Sequence, residues 1–267
     1  MKLSVALAVH NEEHNIPRCI GAIYDWVDEI VVIDGESADN TVSILKKLDK
    51  DKKIKIFSEK NPSMFHINKQ KALEQCKGEW ILQLDADEIV SDDLRKEILK
   101  IVDHNSQDQA IAFWIPRLNY FLGRPLRKGG QYPDYTIRLY KNDVAHFPCK
   151  DVHEQVEIKN VSNLDTQISK LNSNLLHYPY PTFKDYLDKT LRYSYLEADM
   201  LYDQKTPINI KTFLLYMIIK PKWWFLKTYF RHKGFVDDFP GFVFSLISAL
   251  RFCFTYIRLY ELNKEKQ

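Results

Sequence analysis

Trp80-Ile-Leu-Gln-Leu84 runs straight into Asp85-Ala86-Asp87-Glu88. A short apolar run of this kind reads as a buried strand, and here it stops in a cluster of carboxylates. Open α/β sheets bind ligands beyond the carboxyl ends of their strands. Hard cations such as Mg2+ or Mn2+ take carboxylate oxygens together with substrate phosphates. In extended chain Asp85 and Asp87 would point to one side and Ala86 to the other, so a metal–diphosphate site is one reading. A strand ending in a solvated acidic turn is the other, and a bare D-x-D does not separate them.

The flanking sequence supplies the context. Leu3–Val9 reads as a first strand and residues 15–27 as a helix with an Asn15 cap and Pro17 in its first turn. A second strand, residues 29–33, closes in Asp34-Gly35. A helix over residues 40–48 and a strand over 53–57 follow. A helix over 66–77 then ends at Gly78, placed for a left-handed cap. After the acidic motif, Ser91-Asp92-Asp93 opens another helix. Strands alternating with helices predict βαβ units and a parallel sheet. Neither G-x-G-x-x-G after the first strand nor G-x-x-x-x-G-K-[ST] occurs, so the common dinucleotide and ATP cradles are absent.

In such a sheet the first strand delivers His10-Asn11-Glu12, the second Asp34, and the fourth Asp85 to Glu88, all to one edge. Beyond it, residues 110–121 and 135–140 read as strands around the loop Gly123-Arg-Pro-Leu-Arg-Lys-Gly-Gly-Gln-Tyr-Pro133. Long loops of this composition in compact domains are more often functional than not. From about Pro181 the chain reads as helices.

Composition narrows the class. The chain has 267 residues, 45% hydrophobic and 28% charged, enough for a full domain with an appendage. A net charge of +2 gives no reason to expect a nucleic-acid partner. Four widely spaced cysteines suggest neither a zinc site nor a disulfide framework and fit a reduced, cytoplasmic setting. The apolar stretch at residues 1–9 is too short for a signal peptide and is followed by His10-Asn11-Glu12-Glu13, which favours a buried strand.

Ser4-Val-Ala-Leu-Ala-Val-His-Asn-Glu-Glu13, Val31-Val-Ile-Asp-Gly-Glu-Ser-Ala-Asp-Asn-Thr41 and Leu82-Gln-Leu-Asp-Ala-Asp-Glu88 resemble the family 2 glycosyltransferases. Further motifs, Asn119-Tyr-Phe-Leu-Gly-Arg124, Gly130-Gln-Tyr-Pro-Asp-Tyr-Thr-Ile-Arg-Leu-Tyr140, Val152-His-Glu154 and Gly234-Phe-Val-Asp-Asp-Phe-Pro-Gly-Phe242, are similar to the subgroup that adds β-1,4-linked glucose to the lipopolysaccharide inner core. The resemblance implies a GT-A fold: a Rossmann-like, mostly parallel nucleotide-binding sheet with acceptor-side strands, followed by C-terminal helices. The expected division is a catalytic domain over 1–180, with a nucleotide-sugar half at 1–104 and an acceptor half at 105–180, and a helical region over 181–267. One departure is visible, since Glu36 stands in a loop that relatives usually fill with Gly and Ser.

The implied activity is inverting transfer of a hexose, glucose from UDP-glucose, to a lipid-linked saccharide such as the lipopolysaccharide core. Transfer to a capsular glycan or a protein, and a non-catalytic sugar-nucleotide-binding assembly subunit, are the alternatives. The resemblance gives Glu12 and Asp34 the uracil and ribose, with His10 and Asn11 beside them. It gives Asp87 a Mn2+ or Mg2+ ion on the diphosphate and Asp85 the ribose or a metal-bound water; the extended geometry has Ala86 pointing away and leaving room. Lys69 would reach a phosphate, or else is solvated. Inversion needs a base for the acceptor hydroxyl; Glu154 is favoured over Asp134 and Asp151, with His153 adding a metal or phosphate contact. Gln131 and Arg138 fall on the acceptor side, although Asp134 and Arg138 would equally form a structural ion pair. The implied setting is peripheral, on the inner face of the cytoplasmic membrane.

Between Asp203 and Asp237 there is no acid, while seven Lys and Arg residues alternate with Phe, Tyr and Trp. This composition suits an anionic membrane surface, contacted through residues 205–257. Helices packed on the protein with their lysines in water are the competing expectation. Arg251 interrupts the apolar stretch at 239–257, which argues for a peripheral helix pair over a span.

Overall fold

The computed structural model describes residues 1–62, 64–103, 110–149, 156–159 and 167–264. The chain forms two compact units, Met1–Arg117 with Asp134–His177, and Leu118–Pro133 with Tyr178–Gln267.

The first unit is built on β1 (Leu3–Val9), β2 (Glu29–Asp34), β3 (Ile54–Ser58) and β4 (Trp80–Leu84), all parallel, interleaved with helices α1 (Ile16–Ile23), α2 (Thr41–Leu48) and α3 (His66–Gln75). After β4 come the short β5 (Glu88–Val90) and α4 (Asp92–Asp103). The remaining strands are β6 (Ala112–Phe121), β7 (Arg124–Pro125), β8 (Asp134–Lys141), β9 (Ala145–His146), β10 (Glu157–Ile158), β11 (Ile168–Lys170) and β12 (Leu175–His177). The main sheet runs β3-β2-β1-β4-β8-β6-β12-β5, with β8 antiparallel to both β4 and β6. Strand periodicity sorts the core onto two faces. Val5, Leu7, Ile30 and Val32 pack with Ile16, Ile20 and Ile23 of α1 and Leu94 and Ile98 of α4. Ala6, Val31 and Ile33 pack on the opposite side with Ala72 and Leu73 of α3.

Two local expectations are corrected. Asn15 makes no side-chain cap; its amide instead donates to Glu12 Oε2 at 2.8 Å. Gly78 is not left-handed: it is needed because a Cβ there would lie 2.6 Å from the Ser4 backbone nitrogen. Nearby, buried Glu29 accepts from Ser4 Oγ (2.6 Å), the Lys77 backbone N–H (2.9 Å) and Lys55 Nζ. All four cysteines are free thiols, and burial pushes Cys76 up to about 12, which leaves it unreactive at neutral pH.

The second unit holds β7 and the end of β6 from Leu118 and is otherwise built of helices. Its helices are α5 (Phe183–Asp203), α6 (Ile210–Leu214), α7 (Lys220–Phe225) and α8 (Asp238–Lys264). Wide π turns at Leu215–Ile219 and Leu226–Arg231 continue α6 and α7 into one helical run. Thr182 and Asp185 form a reciprocal capping box at the start of α5, and Asn209 caps α6 through the Lys211 and Thr212 N–H groups. α8 is apolar and long enough to cross a membrane. It nevertheless packs on α5, where Tyr186 stacks with Phe244 and Thr255 Oγ1 meets Glu197 Oε2 at 3.3 Å. Phe121, Leu126 and Tyr186 form the local core.

Candidate functional site

Pairing in register brings three strand ends together. Val9 of β1 lies opposite Asp34 of β2, and Leu7 opposite Leu84 of β4. The β1 loop and the β2 loop are laced to each other. His10 Nδ1 is 2.7 Å from the Gly35 carbonyl oxygen; the Asn11 N–H donates to Ser37 Oγ (2.9 Å) and the Ala38 N–H to Asn11 Oδ1 (2.8 Å). The Glu12 N–H donates to Thr41 Oγ1 at 2.8 Å. Asn11 and Glu36 are both left-handed, at φ 56° and 55°. Asn tolerates that region; Glu does so at a cost, and the unusual Glu36 of the sequence thus occupies a slot that glycine fills without strain.

Asp34 is 3% exposed, and its Oδ2 accepts from the Ser37 N–H at 3.2 Å, while Oδ1 has no protein partner. A buried carboxylate oxygen in that state is costly unless a ligand supplies the donor. Burial raises the Glu12 carboxyl, and the carboxylates of Asp87, Asp85 and Asp39 add to the effect against the hydrogen bond from Asn15.

The acidic motif departs from the extended geometry expected of it. Residues 85–87 are a tight turn: the Glu88 N–H donates to the Asp85 carbonyl (3.0 Å) and the Glu88 carboxylate accepts the Asp85 N–H (3.0 Å). Asp85 and Asp87 therefore have different partners. Asp85 is held by Lys69 Nζ, by Arg138 Nη2 at 2.6 Å and by Gln83 Nε2 at 3.2 Å. Burial opposes its ionisation, but the Arg138 guanidinium and the Lys69 ammonium overcome this and hold its carboxyl well below the usual range. Arg138 also donates to Glu88 Oε1 (2.7 Å) and to Gln83 Oε1. Arg117 completes the set, 3.6 Å from Glu88 and bonded to Asp134 Oδ2 through Nε (3.0 Å) and Nη2 (2.7 Å). Asp134 and Arg138 do not pair with each other; each has its own partner.

Asp87 is placed otherwise. Its Oδ2 lies 3.3 Å from His177 Nε2, because β12 runs antiparallel to β5 with His177 opposite Glu88. Among the described residues no group of three or more His, Cys, Asp and Glu gathers as a metal cage. A carboxylate with an imidazole is nonetheless a donor pair that Mn2+ accepts, and a cation that draws its other ligands from phosphate oxygens needs only one or two protein groups. The residues present fit such an ion.

The structure thus brings His10, Asn11, Glu12, Asp34, Lys69, Asp85, Ala86, Asp87, Asp134 and Arg138 into the first unit, and Gln131 into the second. Lys69 is turned inward on Asp85, not solvated. His153, Glu154 and Asp151 lie outside the described residues. The parts played by His177 and Arg117 are not read from the sequence. The first closes the short strand Leu175–His177, and a polar residue ending an apolar strand was its available signal; the second becomes visible only through the pairing of Arg117 with Asp134 across β6 and β8.

Residues 4–152 match the family described as Glycosyl transferase family 2. An uncharacterised glycosyltransferase of Rickettsia typhi is 30% identical over 98% of this chain and 88% of its own length. The lipopolysaccharide core biosynthesis glycosyltransferase LpsC of Rhizobium meliloti is 26% identical over 94% of this chain and 92% of its own. Among solved structures, the mannosyltransferase PcManGT of Pyrobaculum calidifontis, in complex with GDP-Man and Mn2+, superposes with a TM-score of 0.54 at 11% identity, covering 97% of this chain and 87% of that one. Residues 1–349 of S. aureus TarS, in complex with UDP-GlcNAc, superpose with a TM-score of 0.51 at 17% identity, covering 98% and 89%. The chain belongs to the family 2 glycosyltransferases and has the GT-A fold.

Proposed function

We propose that the protein is an inverting, metal-assisted hexosyltransferase that moves glucose from UDP-glucose to a lipid-linked saccharide such as the lipopolysaccharide core. One observation carries the donor side: buried Asp34, with an oxygen lacking a protein donor, stands at the same strand edge as the Asp87–His177 pair. Asp34 and Glu12 accept hydrogen bonds from the nucleoside, with His10 and Asn11 shaping the loop around it. Asp85, fixed by Lys69 and Arg138, keeps its carboxylate oriented beside the ribose, whereas Ala86, expected to leave room there, is buried in the core with Val5, Leu7 and Ile16. Asp87 and His177 hold the Mn2+ or Mg2+ ion. When bound, that ion supplies Lewis-acid neutralisation of charge on the departing nucleoside diphosphate.

Glu154 acts as the base that takes the proton of the acceptor hydroxyl, because Asp134 is already committed to Arg117 by two hydrogen bonds. Arg138 serves by positioning Asp85. The similarity to LpsC supports a saccharide acceptor. The test is Glu154→Gln with UDP-glucose and a lipid-linked core acceptor. Transfer is lost while nucleotide binding survives; near-normal turnover rules out Glu154. Metal-dependent hydrolysis of UDP-glucose by the unaltered protein separates this enzyme from a non-catalytic binding subunit.

A further inference from the structure

The helical run from Ile210 to Arg231 is built the wrong way round for a soluble surface. Ile210, Leu214, Ile218, Leu226 and Phe230, together with Lys222, recur every four residues along one exposed row. Leu215, Ile219 and Trp223 form the neighbouring row, with Lys211 at its start, and are exposed too. The inward side holds Tyr216 and Thr228. It rests on α8, where Trp224 meets Phe252 edge-on at 6.0 Å and Tyr216 stacks with Tyr256 at 6.4 Å. A surface helix of a soluble protein shows water its polar face; this one shows an apolar face. The turn into α8 extends the patch with Phe235, Val236 and Phe239, which are 48%, 52% and 68% exposed.

Charge identifies what covers it. Residues 204–236 contain seven Lys and Arg and no acid; the turn that follows carries Asp237, which accepts the Arg127 and Lys128 N–H groups, and Asp238, which is paired with Arg124. Lys205, Lys211, Lys222, Arg231 and Lys233 are exposed, while Lys227 lies over the rings of Trp223 and Trp224 at 4.8 and 5.1 Å. Aliphatic and aromatic side chains on one face, with cations interleaved and at the flanks, match a helix lying in the plane of a bilayer interface. A spanning orientation would carry Lys222, midway along the run and exposed, into the hydrocarbon, which is unfavourable.

We propose that the face formed by residues 210–231 and the 235–239 turn is a docking surface for an anionic phospholipid leaflet. Here the helix lies in plane, its apolar rows enter the interface and its lysines meet lipid phosphates. α8 supports this helix and packs on α5, which narrows the membrane-contacting part of the 205–257 stretch. The surface stands independently of the donor and acceptor assigned above.

The full chain is floated with vesicles of phosphatidylcholine alone and of phosphatidylcholine with phosphatidylglycerol, at low and high salt. Binding to the anionic vesicles is expected, weakening with salt and by about fivefold for each of Lys211→Gln and Lys222→Gln. The tryptophan emission of the bound protein shifts to the blue, and Trp223→Phe removes that shift while binding persists. Combined Leu226→Ser and Phe230→Ser substitutions, at exposed positions that leave the far-UV circular dichroism intact, abolish flotation. No flotation, equal binding to neutral vesicles, or a dimer in solution that the combined Leu226→Ser and Phe230→Ser substitutions dissociate would each overturn the assignment. UDP-sugar binding, measured without vesicles, is untouched by any of these outcomes.

Discussion

Arg138 is 6% exposed at its side chain and holds three acceptors at once: Asp85 Oδ2 at 2.6 Å, Glu88 Oε1 at 2.7 Å and Gln83 Oε1. Arg138→Met keeps the apolar stem and deletes the charge. Asp85 then retains Lys69, but Glu88, with no side-chain exposure, is left with Arg117 at 3.6 Å and its bond from the Asp85 N–H. Removing one partner of a buried ion pair costs about 3–5 kcal/mol, because the other charge stays buried. Against a total stability of roughly 5–15 kcal/mol, urea unfolding would show a large loss. The second half of the experiment is Glu88→Gln in the Arg138→Met background, which removes the stranded charge and recovers about 1–3 kcal/mol through coupling of the pair. An Arg138 that served chiefly to contact the acceptor would behave differently. A loss below about 1 kcal/mol, or no recovery on adding Glu88→Gln, refutes the positioning role.

Two further outcomes follow from local geometry. Glu36→Gly relieves a left-handed backbone at φ 55°, a strain of about 1 kcal/mol, and raises Tm by about 2–4 °C; an unchanged or lower Tm contradicts it. Glu29→Gln tests a buried carboxylate whose burial penalty is outweighed by hydrogen bonds from Lys55, Ser4 and the Lys77 N–H, so its carboxyl lies below the ordinary 4.5. A depressed group stabilises the fold above its ordinary value and loses that contribution as pH falls through its folded value. Urea midpoints of the parent and variant therefore differ most near neutral pH and converge in acid; a constant or widening gap would be inconsistent with this.

The alternation of β1 through β4 with three helices was legible because β1, β2 and β4 are short apolar runs and α1 and α2 are amphipathic, while α3, which has little periodicity, is marked by the turn residues around it; the convergence of Glu12, Asp34 and the acidic motif follows from parallel topology alone. What was not legible depends on contacts that periodicity does not encode. Asp85 and Asp87 were expected on one side of an extended segment, yet the Glu88 carboxylate captures the Asp85 N–H and folds the segment into a turn. His177 reaches Asp87 only because two three-residue strands pair, and strands that short leave little alternation to detect. Gly78 signals a helix end in sequence, but in space it answers to the backbone of Ser4. The outward apolar rows of the 210–231 run needed the burial pattern, since its composition alone is equally that of a packed helix.

In the proposed function this strand edge binds a UDP-sugar with a divalent cation through Asp34, Asp87 and His177. A thermal-shift titration of the full chain with UDP-glucose, with and without Mn2+, tests it directly. Ligand at about 100 times its Kd adds about 2.7 kcal/mol to the folded state, or roughly 5–11 °C in Tm for a domain of this size. Such a shift is expected with Mn2+, a smaller one without it, and loss of the metal-dependent part in Asp87→Asn and His177→Ala. No shift with UDP-glucose under either condition, or a full shift that survives both substitutions, would contradict it.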